Sequence, residues 1–127
     1  MTAGEIGALG ETLAAKYLKK NGYKLLERNR HESHNEIDLI VSDKQFIVFV
    51  EVKTRSASAD DLYLPFGSPA AAVDRRKQAR LLRAAQDYLR THNTGGKQPR
   101  MDVVEIYLEK DTAKLLRVNH IIDAFGA

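Results

Sequence analysis

Residues 36–53 read Glu36-Ile37-Asp38-Leu39-Ile40-Val41-Ser42-Asp43-Lys44-Gln45-Phe46-Ile47-Val48-Phe49-Val50-Glu51-Val52-Lys53, and the fold is decided here. Glu36–Val41 and Phe46–Lys53 are rich in β-branched and aromatic residues, and the polar Ser42-Asp43-Lys44-Gln45 between them supplies a turn, so the two runs form a hairpin. Phe46–Val52 is almost continuously apolar, the pattern of a strand covered on both faces, which places it centrally in a sheet. Alternation puts Glu36 and Asp38 on one face of the first strand and Ile37, Leu39 and Val41 on the other. It also puts Glu51 and Lys53 on one face of the second strand, about 7 Å apart. A two-residue Asp43-Lys44 turn makes Asp38 and Glu51 diagonal neighbours; a two-residue shift of register sets them directly opposite. In either case the hairpin gathers two or three carboxylates and one ammonium on a face that otherwise offers Ile40, Ile47 and Phe49 to a core.

Upstream, Ile6, Gly10, Leu13, Ala14 and Tyr17 recur at helical spacing and Asn21-Gly22 stops them, predicting an amphipathic helix over 4–21. Tyr23–Asn29 reads as an edge strand. Downstream, Thr54–Pro69 has no period and reads as a long loop of the kind that forms lids or binding surfaces. Asp74 caps a helix running to about Arg90, with Ser68-Pro69 as a rival start and Gly95-Gly96 beyond its end. Met101–Leu108 and Ala113–Val118 read as strands and Ile121–Phe125 as a short terminal helix. The order α-β-β-β-α-β-β makes an α+β or three-layer α/β domain.

The 127 residues suit a single domain over 1–127. Zero cysteines exclude a disulfide framework, a thiolate zinc site, an iron–sulfur cluster and a cysteine nucleophile, and make the cytoplasm the expected compartment. Met1–Lys20 mixes acids and lysines with its apolar residues, so it holds neither a signal-peptide core nor a membrane span, and no membrane partner is expected. With 20 basic and 17 acidic side chains the net charge of +3 is too mild to diagnose a nucleic-acid binder. Its distribution says more: between positions 75 and 90, Arg75, Arg76, Lys77, Arg80, Arg83 and Arg90 face Asp87 alone.

Carboxylates clustered on a partly buried face repel one another and raise each other's pKa unless a cation neutralises them. Lys53 can neutralise one. Hard oxygen ligands without His or Cys suit Mg²⁺ or Mn²⁺ for the remainder. On a helical wheel Lys77 falls within the apolar sector of Leu81, Ala84, Ala85, Tyr88 and Leu89, so it points inward near the helix start, whereas Arg76, Arg80 and Arg83 lie outside it. Glu11 lies at the border of its own helix's apolar stripe. His31 and His34 have a His-x-x-His spacing but no helix to carry it, and read as solvated loop; His92 and His120 have no partner legible in the sequence.

Taken together, Gly10-Glu11, Asn35-Glu36-Ile37-Asp38-Leu39-Ile40, Phe49-Val50-Glu51-Val52-Lys53-Thr54-Arg55, Arg100-Met101-Asp102-Val103-Val104 and Val118-Asn119-His120-Ile121 resemble the YraN-like family of uncharacterised bacterial proteins. That family is similar in turn to Holliday-junction resolvases and other PD-(D/E)XK, or restriction-endonuclease-like, nucleases. The resemblance spans nearly the whole chain. It implies a mixed central sheet flanked by helices and a Mg²⁺- or Mn²⁺-dependent endonuclease that hydrolyses phosphodiester bonds in DNA, branched or single-stranded regions included. In that scheme Asp38, Glu51 and the Val52 carbonyl hold the metal, Lys53 contacts the attacking water or the scissile phosphate, and Glu11 is an accessory acid. Arg55, Arg76, Lys77, Arg80 and Arg83 would meet the nucleic acid, and a homodimer would let two sites cut opposing strands of a junction. Asn35 stands where the family usually has glycine, and Asn tolerates a left-handed backbone. A non-catalytic nucleic-acid-binding or scaffold module that retains the fold is the rival reading.

Overall fold

The computed structural model describes residues 1–58 and 73–126. Helix α1 (Ala3–Lys20) begins at Thr2, whose hydroxyl accepts from the Glu5 N–H while the Glu5 carboxylate accepts from the Thr2 N–H, and it ends at Asn21. Strands β1 (Lys24–Glu32), β2 (Asn35–Ser42) and β3 (Phe46–Ala57) follow, then helix α2 (Arg75–Thr91) and strands β4 (Gln98–Glu109) and β5 (Leu115–Phe125). The α/β class and the order α-β-β-β-α-β-β are those the sequence predicts.

The strands form one sheet in the order β1-β2-β3-β4-β5, antiparallel except for the parallel β3–β4 pair. A parallel pair needs a crossover, and α2 lies within it. Central β3 is buried on both faces, as its apolar run requires. Ile47 and Phe49 pack with Leu81, Ala84, Ala85 and Tyr88 of α2, whereas Val48 and Val50 pack with Ala14, Ala15 and Leu18 of α1. Each fully buried Leu, Ile, Val or Phe side chain among them contributes about 1.5–3 kcal/mol by leaving water.

Several boundaries differ from the expectations. β1 runs on to Glu32, and Ser33 and His34, at φ 49° and 65°, make a two-residue turn with both residues left-handed. His31-x-x-His34 therefore spans a hairpin end, and the Ser33 hydroxyl donates to Asp87 of α2. Asn35 sits in β2; the left-handed positions are the two before it, and its side chain donates to the Ser33 carbonyl at 3.0 Å. Thr54–Ala57 continue β3, so the connection starts later than expected; the rival helix start Ser68-Pro69 lies outside the described residues. Asp74 is the cap of α2, accepting from the Lys77 N–H at 2.8 Å.

Two corrections concern side-chain direction and the C-terminal segment. Ile37 packs in the α2-side cluster with Ile40 rather than with Leu39 and Val41, so the alternation slips at Asp38. Ile121–Phe125 is strand, not helix: Ile121 pairs with Val103 and Phe125 with Met101 across an irregularity. Five apolar-rich residues cannot be assigned by period alone, and the open edge of β4 decides the matter by offering backbone partners. Left-handed Asp123 (φ 54°) takes up the irregularity, its N–H donating to Asp102 at 3.0 Å.

Asp102, fully buried, joins the elements at this side of the sheet. It accepts from Arg100 at 2.8 and 2.9 Å and bonds His120 Nε2 at 2.7 Å, while Arg100 also donates to the Tyr23 hydroxyl at 2.7 Å. Burial alone would push its carboxyl up; the His120, Arg100 and Asp123 contacts outweigh that and hold it below its ordinary value. Against the other end of β3, buried Gly10 of α1 lies so close that a Cβ there would overlap Thr54 Oγ1 and come within 3.0 Å of Thr54 Cβ. Gly10→Ala should therefore lower stability by about 1–3 kcal/mol, although alanine alone favours a helix by about 1 kcal/mol. Urea melts should show Thr54→Ala recovering part of that loss in the Gly10→Ala background; a neutral Gly10→Ala would mean that α1 is not seated this tightly.

Candidate active site

The site begins where β2 and β3 part. Their pairing runs from Ser42↔Ile47 to Leu39↔Val50 and stops, although β2 reaches back to Asn35 and β3 on to Ala57. The Val52 N–H, which continued pairing would give to β2, donates instead to Asp38 Oδ2 at 2.9 Å. A strand residue's N–H and C=O point to the same edge, so the Val52 carbonyl faces the same opening. The observed register, continued by one residue, sets Asp38 opposite Glu51, the directly opposed alternative of the two that the sequence allows.

Glu51 is held from the α2 side. Its side chain is 3% exposed, and Oε2 is buried without a hydrogen bond. Lys77 Nζ lies 2.9 Å from that oxygen, off the hydrogen-bonding direction, so the oxygen has charge compensation but no donated hydrogen. The inward position of Lys77 agrees with the helical wheel; its partner was not legible there.

Glu11 enters from α1. Arg28 of β1 lies 3.5 Å from it and also donates to Thr12 Oγ1 and the Ala8 carbonyl, both at 2.8 Å, which fastens this part of α1 to the sheet edge. Left-handed Asn29 (φ 54°) donates to Glu11 Oε1 at 3.0 Å and to Glu36 Oε1 at 2.6 Å. Glu11, Glu36 and Asp38 each bring a carboxylate oxygen within 4.8 Å of the others. Glu36 and its Asn29 bridge received no site role from the sequence, because the turn of backbone that aims Asn29 leaves no pattern in residue types.

A cavity of about 450 Å³ opens over these groups, lined by Ile6, Gly7 and Glu11 of α1, Asp38, Glu51, Val52 and Lys53 of the hairpin, and Lys77 of α2. A second, of about 240 Å³, shares Asp38 and Lys77 and adds His34, Glu36 and Arg80. Asp38, Glu51, Lys53, Glu11, Val52 and Lys77 thus meet in one place. Arg76, Arg80 and Arg83 are exposed along one ridge of α2. Arg55 is held elsewhere: Glu105 accepts its Nε at 2.6 Å and also accepts from Asn119 at 2.8 Å, a brace across β3, β4 and β5. His92 stacks on Tyr88 with ring centroids 3.8 Å apart, and His120 belongs to the Asp102 cluster, so neither joins the site.

The electrostatics follow from crowding. Burial, then the hydrogen bond to Glu51 and that carboxylate's charge, push Asp38 up to about 8 against the opposing effect of the Val52 N–H. Near neutral pH, without a divalent cation, Asp38 therefore keeps a proton. Burial also pushes Glu11 up, with Arg28 opposing it and Glu36 and Glu51 adding to it. An all-oxygen donor set with one buried oxygen lacking a hydrogen bond fits a hard divalent cation, which would replace the Asp38 proton.

The chain belongs to the family described as Uncharacterised protein family UPF0102, whose profile matches residues 10–106. A UPF0102 protein of Caldanaerobacter subterraneus subsp. tengcongensis is 46% identical over 120 residues, covering 94% of this chain and 93% of that protein. One from Syntrophomonas wolfei subsp. wolfei is 46% identical over 121 residues, covering 95% of this chain and 97% of its own. Among solved structures, Pyrococcus furiosus SfsA in complex with Ca²⁺ is 14% identical at a TM-score of 0.34, over 91% of this chain and 61% of that one. Among the described residues no helix is long and apolar enough to cross a membrane.

The raised Asp38 carboxyl has a measurable consequence. Folded Asp38 keeps a proton that the unfolded chain loses above its ordinary value of 3.8, so its contribution to stability falls as pH rises from there to about 8. Asp38→Asn retains an acceptor for the Val52 N–H and cannot ionise. In EDTA its melting temperature should gain steadily on that of the wild type as pH rises from about 5 to about 8.5. A constant difference across that range would show that Asp38 ionises normally.

Proposed function

We propose that this protein is a metal-dependent nuclease that hydrolyses phosphodiester bonds in DNA. The observation that carries the reading is the buried Glu51 oxygen without a hydrogen bond, opposed by Asp38 at the mouth of a cavity that also holds Lys53 and Lys77. Asp38, Glu51 and the Val52 carbonyl are the groups that would hold Mg²⁺ or Mn²⁺. A divalent cation there supplies Lewis-acid polarisation of a phosphate oxygen and a more acidic water.

The chain's own groups divide the remaining work. Lys53 lines the cavity with no ion-pair partner among the described residues, leaving its ammonium available to offset negative charge that builds on the reacting phosphate. Glu11, oriented by Arg28 and Asn29 and pushed up by burial, can accept or return a proton at the α1 side of the cavity.

The charge pattern of α2 supports a polyanionic substrate. Its first turn carries Arg75, Arg76 and Lys77 and no acid, although the helix dipole favours anions there. Asp74 caps that turn, and exposed Arg76, Arg80 and Arg83 continue the positive ridge beside the cavity. Contacts of this type position a phosphate backbone and carry no sequence information, so the reading extends to duplex, single-stranded or branched DNA alike.

The direct test is a cleavage screen with Mg²⁺ and Mn²⁺ on duplex, flap, single-stranded and four-way-junction DNA. Lys53→Ala should fold and bind DNA nearly as the wild type does yet cleave about 10² times more slowly or worse, because the lost charge acts on the transition state. No metal-dependent cleavage of any form, with Lys53→Ala altering only binding, would leave a DNA-binding module in its place. Replacing Arg80 and Arg83 together by Ala should weaken binding to all sequences and flatten its salt dependence by about one unit of slope per lost phosphate contact. An unchanged slope would move the DNA surface off α2.

A further inference from the structure

We propose that Lys77 is a resident cation of the carboxylate site: its ammonium neutralises Glu51 until a divalent ion binds, and the displaced ammonium then meets the substrate's phosphate. The inference rests on the metal-dependent reading above and adds a step of exchange to it.

The two partners of this ion pair are unequally held. Glu51 sits on the central strand with its side chain 3% exposed, whereas the side chain of Lys77 is 44% exposed at the edge of the same cavity. If the pair opens, the lysine moves. Nζ approaches Glu51 Oε2 at 2.9 Å out of good hydrogen-bond alignment, so the contact lacks the geometry of the strongest charge-assisted pairs.

Two features of the surroundings of Lys77 disfavour its charge staying there once a metal arrives. It is the third residue of α2, where the helix dipole opposes a cation, and Arg80 repels it. The attraction that holds it comes chiefly from Glu51 and then Asp38, and these are the carboxylates that would bind the metal. A divalent ion between them would lie beside the ammonium at a distance where like charges repel strongly.

The displaced side chain has somewhere to go. Lys77 and Asp38 line both cavities, and the smaller one also reaches Arg80, on the exposed arginine ridge. A flexible four-carbon stem lets the ammonium swing to that side while its backbone stays fixed by the Asp74 cap. Lys53 lies in the larger cavity without such a competitor, so the two lysines act differently: Lys53 is available throughout, whereas Lys77 becomes available on metal loading.

The test is calorimetric titration of the full chain with Mn²⁺, alongside DNA binding by fluorescence anisotropy in Ca²⁺ and in EDTA. Lys77→Gln removes the competing charge and should bind Mn²⁺ about 5- to 10-fold more tightly than the wild type. It should bind DNA several-fold more weakly in Ca²⁺ and equally in EDTA, where the wild-type lysine is engaged by Glu51. Lys77→Arg keeps the charge and can fork onto both Glu51 oxygens, so it should bind Mn²⁺ more weakly than the wild type. That variant keeps the test decisive should Lys77→Gln fold poorly. Unchanged or weaker Mn²⁺ binding by Lys77→Gln, equal or tighter binding by Lys77→Arg, or the same loss of DNA affinity in EDTA as in Ca²⁺ would overturn the exchange while leaving the metal site standing. A wild type that binds no Mn²⁺ would overturn the metal-dependent reading itself, and the exchange with it.

Discussion

The Val52 N–H has a side chain for its acceptor, and the carboxylate-lined cavity depends on that substitution. Strands that separate leave backbone donors unpaired, and a buried unpaired donor is costly. Asp38 removes the cost at Val52 by presenting its carboxylate where a strand carbonyl would otherwise stand. The sheet can therefore open between β2 and β3 without losing a hydrogen bond there, and the same carboxylate is delivered opposite Glu51. One contact both makes the cavity and furnishes it.

What surrounds that contact is a balance of charge supplied by elements distant in sequence. Glu11 arrives on α1 with Arg28 and Asn29 as its partners, Glu36 arrives on β2, and Lys77 arrives on α2 to face Glu51. The assembly is held by rigid contacts around it. The close approach of Gly10 to Thr54 seats α1 beside the site, the Asp102 cluster binds β4 and β5, and the Ser33–Asp87 hydrogen bond ties the β1–β2 hairpin to α2. Acids brought together this way keep a proton or attract a cation, and the open cavity lets solutes reach them.

Much of this was legible in residue types. The alternating and continuous apolar runs of 36–53 announced a hairpin with a central second strand; Asp74 announced the start of α2; the helical wheel turned Lys77 inward. Asp38, Glu51 and Lys53 could be nominated together because alternation along adjacent strands leaves few choices of face. The C-terminal strand was not legible, since Ile121–Phe125 is too short for its period to separate helix from strand. Its conformation comes from the hydrogen-bonding edge of β4, a partner far from it in the chain. The reversal of Ile37 was hidden for a related reason: where β2 leaves β3, its face is chosen by packing against α2, not by strict alternation.

The sequence by itself determined every element but the C-terminal end of β5, their order and the stock of charged groups, because hydrophobic period, turn chemistry and caps act between neighbours along the chain. It left two registers of the hairpin open. Tertiary structure chose between them and thereby set Asp38 opposite Glu51. It also assigned Lys77 to Glu51, Asn29 to Glu11 and Glu36, and Arg55 to Glu105 rather than to the cavity. These pairings are decided by distances across the sheet and between its two helical layers, and no local pattern of residue types encodes which acid a given cation will meet once the layers close.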